Sequence, residues 1–64
     1  MMSSVTVREM IRKMVAEEDP SHPLKDEEIA ARLLTQQVVI ARRTVAKYRA
    51  EENIPSATQR KRFF

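Results

Sequence analysis

The chain of 64 residues contains no glycine, and its three prolines stand at positions 20, 23 and 55. Proline breaks a helix from within, and it pushes the residue before it toward extended backbone. The prolines therefore divide the chain into blocks, and the blocks carry helical patterns. The first is expected over about residues 6–18. Val7, Met10, Ile11 and Met14 repeat at i, i+3, i+4 and i+7, the spacing of an amphipathic helix. Thr6 and Glu9 read as a T-x-x-E capping box, with Val5 and Met10 as the hydrophobic staple around it. "EDPSHP" then ends the block.

The second helix is expected over about residues 26–36, with Ile29, Ala30, Leu33 and Leu34 as its apolar stripe. Asp26, Glu27 and Glu28 fall in its first turn, where the helix dipole favours negative charge. Leu24 and Ile29 are spaced as a staple about Lys25. Lysine has no acceptor for free backbone N–H groups, so it is a poor cap. Capping by Asp26 would move the boundary by one residue. The third helix is expected over about residues 42–52, ending before "NIP". Between the second and third lies "TQQVVIA". Val38, Val39 and Ile40 disfavour helix but are too few for a sheet. They are expected to form an extended turn whose apolar residues close the small core. The expected fold is all-α: a small three-helix domain with a helix-turn-helix whose turn is extended. The second helix of such a pair is the one that enters the DNA major groove.

A chain this short buries only ~60% of its unfolded surface, which allows one domain with a small core. It has no cysteine and one histidine, so neither a disulfide nor a metal site is expected, and no cofactor. The uncharged runs are far too short to span a bilayer. The start, "MMSSVTV", lacks the layout of a signal peptide. A cytoplasmic, monomeric chain is expected, and a fragment of something longer. Glu17, Glu18 and Asp19, like Asp26, Glu27 and Glu28, have no nucleophile setting or second histidine to work with, so catalysis is not expected. His22 reads as a solvated loop residue, and Met10 and Met14 as fillers of the core. Without glycine there is no loop to cradle a nucleotide.

Charge is distributed unevenly. Residues 1–41 carry five Lys/Arg against seven Asp/Glu, a net of −2, while residues 42–64 carry seven against two, a net of +5. Such asymmetry points to nucleic acid or another anionic surface. "ARRTVAKYR", residues 41–49, holds four of those cations in nine positions. On a helix, at about 100° per residue, Ala41, Val45, Tyr48 and Glu52 gather on one side. Arg42, Arg43, Ala46, Lys47 and Ala50 gather on the other, with Thr44 and Arg49 flanking the buried side. Val45 and Tyr48 are expected in the core, with the Tyr48 hydroxyl at its edge. The alanines let the charged face approach its partner closely. Ala41 stands where a cap is expected, leaving the first N–H groups open to a DNA phosphate. Arg60, Lys61 and Arg62 read either as a solvated tail or as a clamp on the DNA backbone. Two functions fit these residues: a sequence-specific DNA reader, or a basic helical module docking an acidic protein. Only the first prefers one duplex to a scrambled one at the same salt.

"ARRTVAKYR" also resembles, without a gap, the RpoN box of the bacterial sigma-54 transcription factors. The preceding "SSVTVREMIRKMVAEEDPSHPL" and the following "IPSATQRKR" extend the resemblance over nearly the whole chain. It implies the C-terminal domain of a longer sigma factor, binding the GG-containing −24 promoter element as double-stranded DNA. It further implies that core RNA polymerase, the −12 element and an ATP-dependent activator are met by the rest of that factor. Major-groove contacts then fall on Arg42, Arg43, Ala46 and Lys47, with Arg49 near the DNA backbone. Thr44 and the cluster Arg60, Lys61 and Arg62 complete the candidate DNA contacts. The chain departs from the family at Lys25, where Ser or Thr is frequent, and at its apolar "FF" end. It also has Gln37 where glycine is common, so a left-handed turn there would cost roughly 1 kcal/mol.

Overall fold

A computed structural model describes residues 4–61, with side chains from Thr6 onward. It contains four helices: α1, Ser4–Glu17; α2, Asp26–Thr35; α3, Arg42–Glu51; and α4, Ala57–Arg60. Among the described residues there is no strand, only an isolated bridge between Asp19 and His22. The first three helices form the expected all-α unit, and α3 packs on both α2 and α1.

The boundaries of α1 differ from those expected. The helix starts at Ser4, which places Thr6 inside the first turn rather than at the cap. The expected Thr6–Glu9 capping box is therefore not the start of α1. The Val5 half of the expected staple lies outside the described side chains. After Glu17 the chain turns sharply: the Ser21 N–H and hydroxyl both donate to Asp19 Oδ1, at 2.9 and 2.8 Å, and the His22 N–H donates to the Asp19 carbonyl at 2.9 Å. An Asp opening a turn with Pro second matches the turn chemistry of these residues. The Ser21 N–H, then its hydroxyl, hold the Asp19 carboxyl below its ordinary pKa despite some opposing desolvation.

Helix α2 begins with Lys25 as N-cap, and the lysine side chain supplies no capping bond. Glu28 compensates in part by accepting the Lys25 N–H at 3.2 Å. Leu24 and Ile29, the expected staple pair, are both buried. The C-terminus closes by a Schellman motif. The Gln37 N–H donates to the Leu34 carbonyl and the Val38 N–H to the Leu33 carbonyl, both at 2.9 Å. Gln37 makes the reversal at φ 65°, in the left-handed region expected for it. Helix α3 ends in the same way, with Asn53 at φ 58° and the N–H groups of Asn53 and Ile54 donating to Ala50 and Arg49. Each motif carries an apolar residue just past the left-handed one, and both are used. Val38 is buried in the core and Ile54 packs against it.

The core comprises Val7, Ile11, Leu24, Ile29, Leu33, Val38 and Val45, with Ile11, Ile29, Leu33 and Val45 fully enclosed. Met10, Met14 and Tyr48 pack around them. Two residues expected in the core are outside it. Leu34 is 58% exposed and Val39 81%. Helix α2 packs on α3 by one face, and Leu34 turns about 100° away from the buried Leu33. Val39 faces away from the buried Val38 in a segment that is neither helix nor strand.

Part of the basic segment, Ala57–Arg60, forms α4. Ser56 caps α4 and accepts the Gln59 N–H at 3.4 Å, while Gln59 Oε1 accepts the Ser56 N–H at 3.3 Å. That is a capping box in the S-x-x-Q sequence of residues 56–59.

Candidate nucleic-acid interface

The helix α3 presents two faces because Val45 is fully enclosed while the residues around it alternate outward at helical spacing. Tyr48, one turn on, is partly buried, with the Arg8 guanidinium 5.8 Å from its ring centre. Arg42, Arg43, Lys47 and Ala50 are exposed on the opposite side, and Thr44 and Ala46 are partly buried at its flanks. Ala41 is the N-cap and offers no side-chain bond. The N–H groups of Thr44 and Val45 turn back to the Ala41 carbonyl, at 2.9 and 3.1 Å. No acidic residue lies in the first turn. The start of α3 is thus positive from its dipole, its open N–H groups and its two arginines together.

The described cations differ in what holds them. Four arginines are engaged within the domain. Arg8 pairs with Glu51 at 3.0 Å and Arg12 with Glu52 at 3.3 Å. Arg49 grips Asp26 through Nε and Nη2, at 3.0 and 3.2 Å, and donates from Nη1 to the Ile54 carbonyl at 3.0 Å. Arg60 grips Glu18 through Nε and Nη2, at 2.8 and 3.0 Å, and donates also to the carbonyls of Leu24 and Pro55. Arg42, Arg43 and Lys47, by contrast, have no ion-pair partner among the described residues. The pairs from α1 neutralise Glu51 and Glu52, the only carboxylates of residues 42–64. What remains on the outer face of α3 is positive.

Two of the residues expected at the DNA, Arg49 and Arg60, are engaged inside the domain. Arg49, 15% exposed at its side chain, ties the first turn of α2 to the end of α3. Arg60, 9% exposed, ties α4 to the loop after α1. Three N–H bonds from Arg49 and four from Arg60 are made inside the domain. The Glu18 side chain is 7% exposed. Burial pushes its pKa up, but bonds from Arg60 and the Leu24 N–H, with the Arg60 charge, outweigh burial and hold it below its ordinary value. Lys61 is engaged in an interaction of its own, and Arg62 lies outside the described residues. Among the described residues no group of His, Cys, Asp and Glu is arranged to hold a metal ion, and no helix is long and apolar enough to cross a membrane.

The family model for the sigma-54 DNA-binding domain matches residues 1–62, nearly the whole chain. The chain belongs to this family. Among similar proteins are RNA polymerase sigma-54 factors. That of Acidithiobacillus ferridurans is 52% identical over 60 residues, covering 94% of this chain and 13% of the relative. That of Escherichia coli (strain K12) is 44% identical over 59 residues, covering 92% and 12%. That of Azotobacter vinelandii is 47% identical over 60 residues, covering 94% and 12%. This sigma-54 DNA-binding domain thus spans roughly an eighth of the length of those relatives. The family is one of DNA-binding domains, and DNA is a polyanion.

Sequence reasoning found the basic face of α3 but missed the internal pairs. Arg49 and Arg60 look like free cations in a one-dimensional charge count. The S-x-x-Q at residues 56–59 was the available signal for α4, and α4 is what carries Arg60 to Glu18.

Proposed function

We propose that this domain reads the GG-containing −24 element of promoter DNA by placing α3 in the major groove, as part of a sigma-54 factor in transcription initiation. The observation that carries the reading is the trio Arg42, Arg43 and Lys47, exposed and unpaired among the described residues, on a helix whose other face is anchored by Val45. Arg43 is assigned the guanine contact. It stands near the centre of the outer face and early in α3, where helix-turn-helix proteins place base-reading side chains. Arginine holds guanine O6 and N7 with two N–H donors, worth about 1–3 kcal/mol of discrimination. Arg42 lies at the edge of the face and serves a base or a phosphate. Lys47 faces the groove beside them, Thr44 flanks the face, and Ala46 keeps the approach close. The open N–H groups at the start of α3 take a phosphate.

On this reading the domain acts by binding alone, as a monomer in the cytoplasm. Core RNA polymerase and an ATP-dependent activator are engaged by the rest of the longer factor. Arg60 is left out of the DNA surface, while Lys61 and Arg62 remain proposed phosphate contacts just beyond α4.

Arg43→Lys tests the assignment, because it keeps the charge and loses the planar fork. Competition at fixed salt between the −24 duplex and one with its guanines substituted is expected to show the preference reduced by about fivefold or more, from ~1 kcal/mol or more of lost discrimination. Affinity for a scrambled duplex should be largely kept. An intact preference ratio would move the guanine contact to another side chain.

A further inference from the structure

Val39 is 81% exposed, and the guanine contact makes no use of it. Its position follows from the segment between α2 and α3, which is neither helix nor strand and in which burial alternates along the chain. Val38 is buried, Val39 exposed, Ile40 partly buried and Ala41 exposed. Val39 and Ala41 therefore share the outer side of this segment. Ala41 is the N-cap of α3, and the exposed Arg42 and Arg43 follow it directly. The valine thus stands where the chain runs into the basic face. Residues 29–50 contain no Asp or Glu, so the surroundings of Val39 in the chain carry only cations and neutral groups.

Distance limits what Val39 can meet. Three residues of fully extended chain span at most about 10 Å. Along one strand of a duplex, ~10 Å is about three base steps. Val39 accordingly reaches the same groove within about three base pairs of the group that Arg42 meets. It has no charge and no hydrogen-bonding side-chain atom, so a phosphate or a polar base edge gives it nothing. The apolar group that a base presents in the major groove is the thymine C5-methyl.

We infer that Val39 is a specificity-determining residue that packs on the C5-methyl of a thymine within about four base pairs of the guanine contact. The inference rests on the reading of α3 as the major-groove helix. A docked protein segment is the competing occupant. Leu34, 58% exposed at the end of α2, is the other large apolar side chain open to such a segment. A thymine contact uses Val39 without Leu34.

The test is competition binding of this chain at fixed salt. The probes are the −24 duplex and duplexes in which each thymine of the element, on either strand, is replaced in turn by deoxyuridine. Deoxyuridine lacks only the C5-methyl. Burial of one methyl-sized group is worth about a threefold to fourfold change in affinity. The unaltered chain is expected to lose that factor at one thymine. Val39→Ala is expected to lose about the same factor on the normal duplex and to be indifferent to that deoxyuridine, while Leu34→Ala keeps the sensitivity. Two results would overturn the inference: no thymine methyl matters to the unaltered chain, or Val39→Ala retains the full sensitivity. The guanine preference measured with the same proteins separates the two levels. If it persists while the methyl has no effect, only the Val39 contact fails; if it is absent as well, the reading of α3 fails with it.

Discussion

Gln37 holds its φ at 65° because two N–H bonds at the end of α2 require a reversal there, and no glycine is present to supply it. A residue with a Cβ gives up roughly 1 kcal/mol in that region. Glycine relieves the strain but gains freedom in the unfolded chain, which offsets part of the relief. Gln37→Gly is therefore expected to leave stability unchanged or raise it by up to about 1 kcal/mol. Urea titration reads the change, and a clear loss of stability would count against strain at this position. This reversal was legible in the sequence because the chain had to turn between two apolar blocks. The same geometry at Asn53 leaves no such mark in the sequence, where "NIP" shows only the end of a helix. Asn tolerates the left-handed region better than Gln and so leaves a weaker signal of strain. In the sequence Leu34 belongs to the apolar stripe of α2 and Val39 to a short apolar run, and neither pattern says what lies over it. Periodicity gives the direction of a side chain, but coverage depends on how many elements are available to lie over it.

Among the elements, α4 contributes most that the sequence concealed. Glu18 and Arg60 are 42 positions apart, and no local pattern joins them. Their bond pins α4 against the loop between α1 and α2, and Glu18 also accepts the Leu24 N–H at 2.8 Å. Removing one partner of a largely buried pair leaves the other charge unpaired, at a cost of about 3–5 kcal/mol in well-enclosed cases. Arg60→Ala is expected to destabilise the domain strongly, with Glu18→Gln milder because an amide still accepts hydrogen bonds. Acid should act through the same pair. The folded pKa of Glu18 lies below its unfolded one, so its contribution is complete above the unfolded value and is lost as pH falls through the folded value. Thermal melting across the acid range should therefore show the unaltered chain losing more stability below about pH 4.5 than Glu18→Gln does. Equal acid sensitivity of the two would mean that the pair adds nothing to folding. The three longer helices were legible because each repeats its apolar residues at helical spacing. Their ends were less so: α1 begins two residues before the expected cap, since a T-x-x-E sequence fits the interior of a first turn as well as its start.

At the scale of the whole molecule, the arrangement of charge links fold to function. A net charge of +3 describes the chain poorly, because four of its nine acidic side chains, Glu18, Asp26, Glu51 and Glu52, are each matched by an arginine. Exposed ion pairs such as Arg8–Glu51 add only about 0–1 kcal/mol each to stability. Their larger effect is on sign: Glu51 and Glu52 no longer offset Arg42, Arg43 and Lys47. The sequence displayed the surplus of cations in its last third but not their division into engaged and unpaired groups, which depends on tertiary contacts. The small core, built from seven buried side chains, has the task of holding one helix with its basic face outward. The central claim is that this face reads guanine from the major groove. Replacing the guanines of the −24 element with 7-deazaguanine removes the N7 acceptor, which lies in the major groove, whereas replacing them with inosine removes the 2-amino group, which lies in the minor groove. Competition binding at fixed salt is the measurement. The expected result is a loss of about fivefold or more with 7-deazaguanine, from ~1 kcal/mol or more of lost contact, and little change with inosine. Indifference to 7-deazaguanine, or an equal loss with inosine, would contradict it.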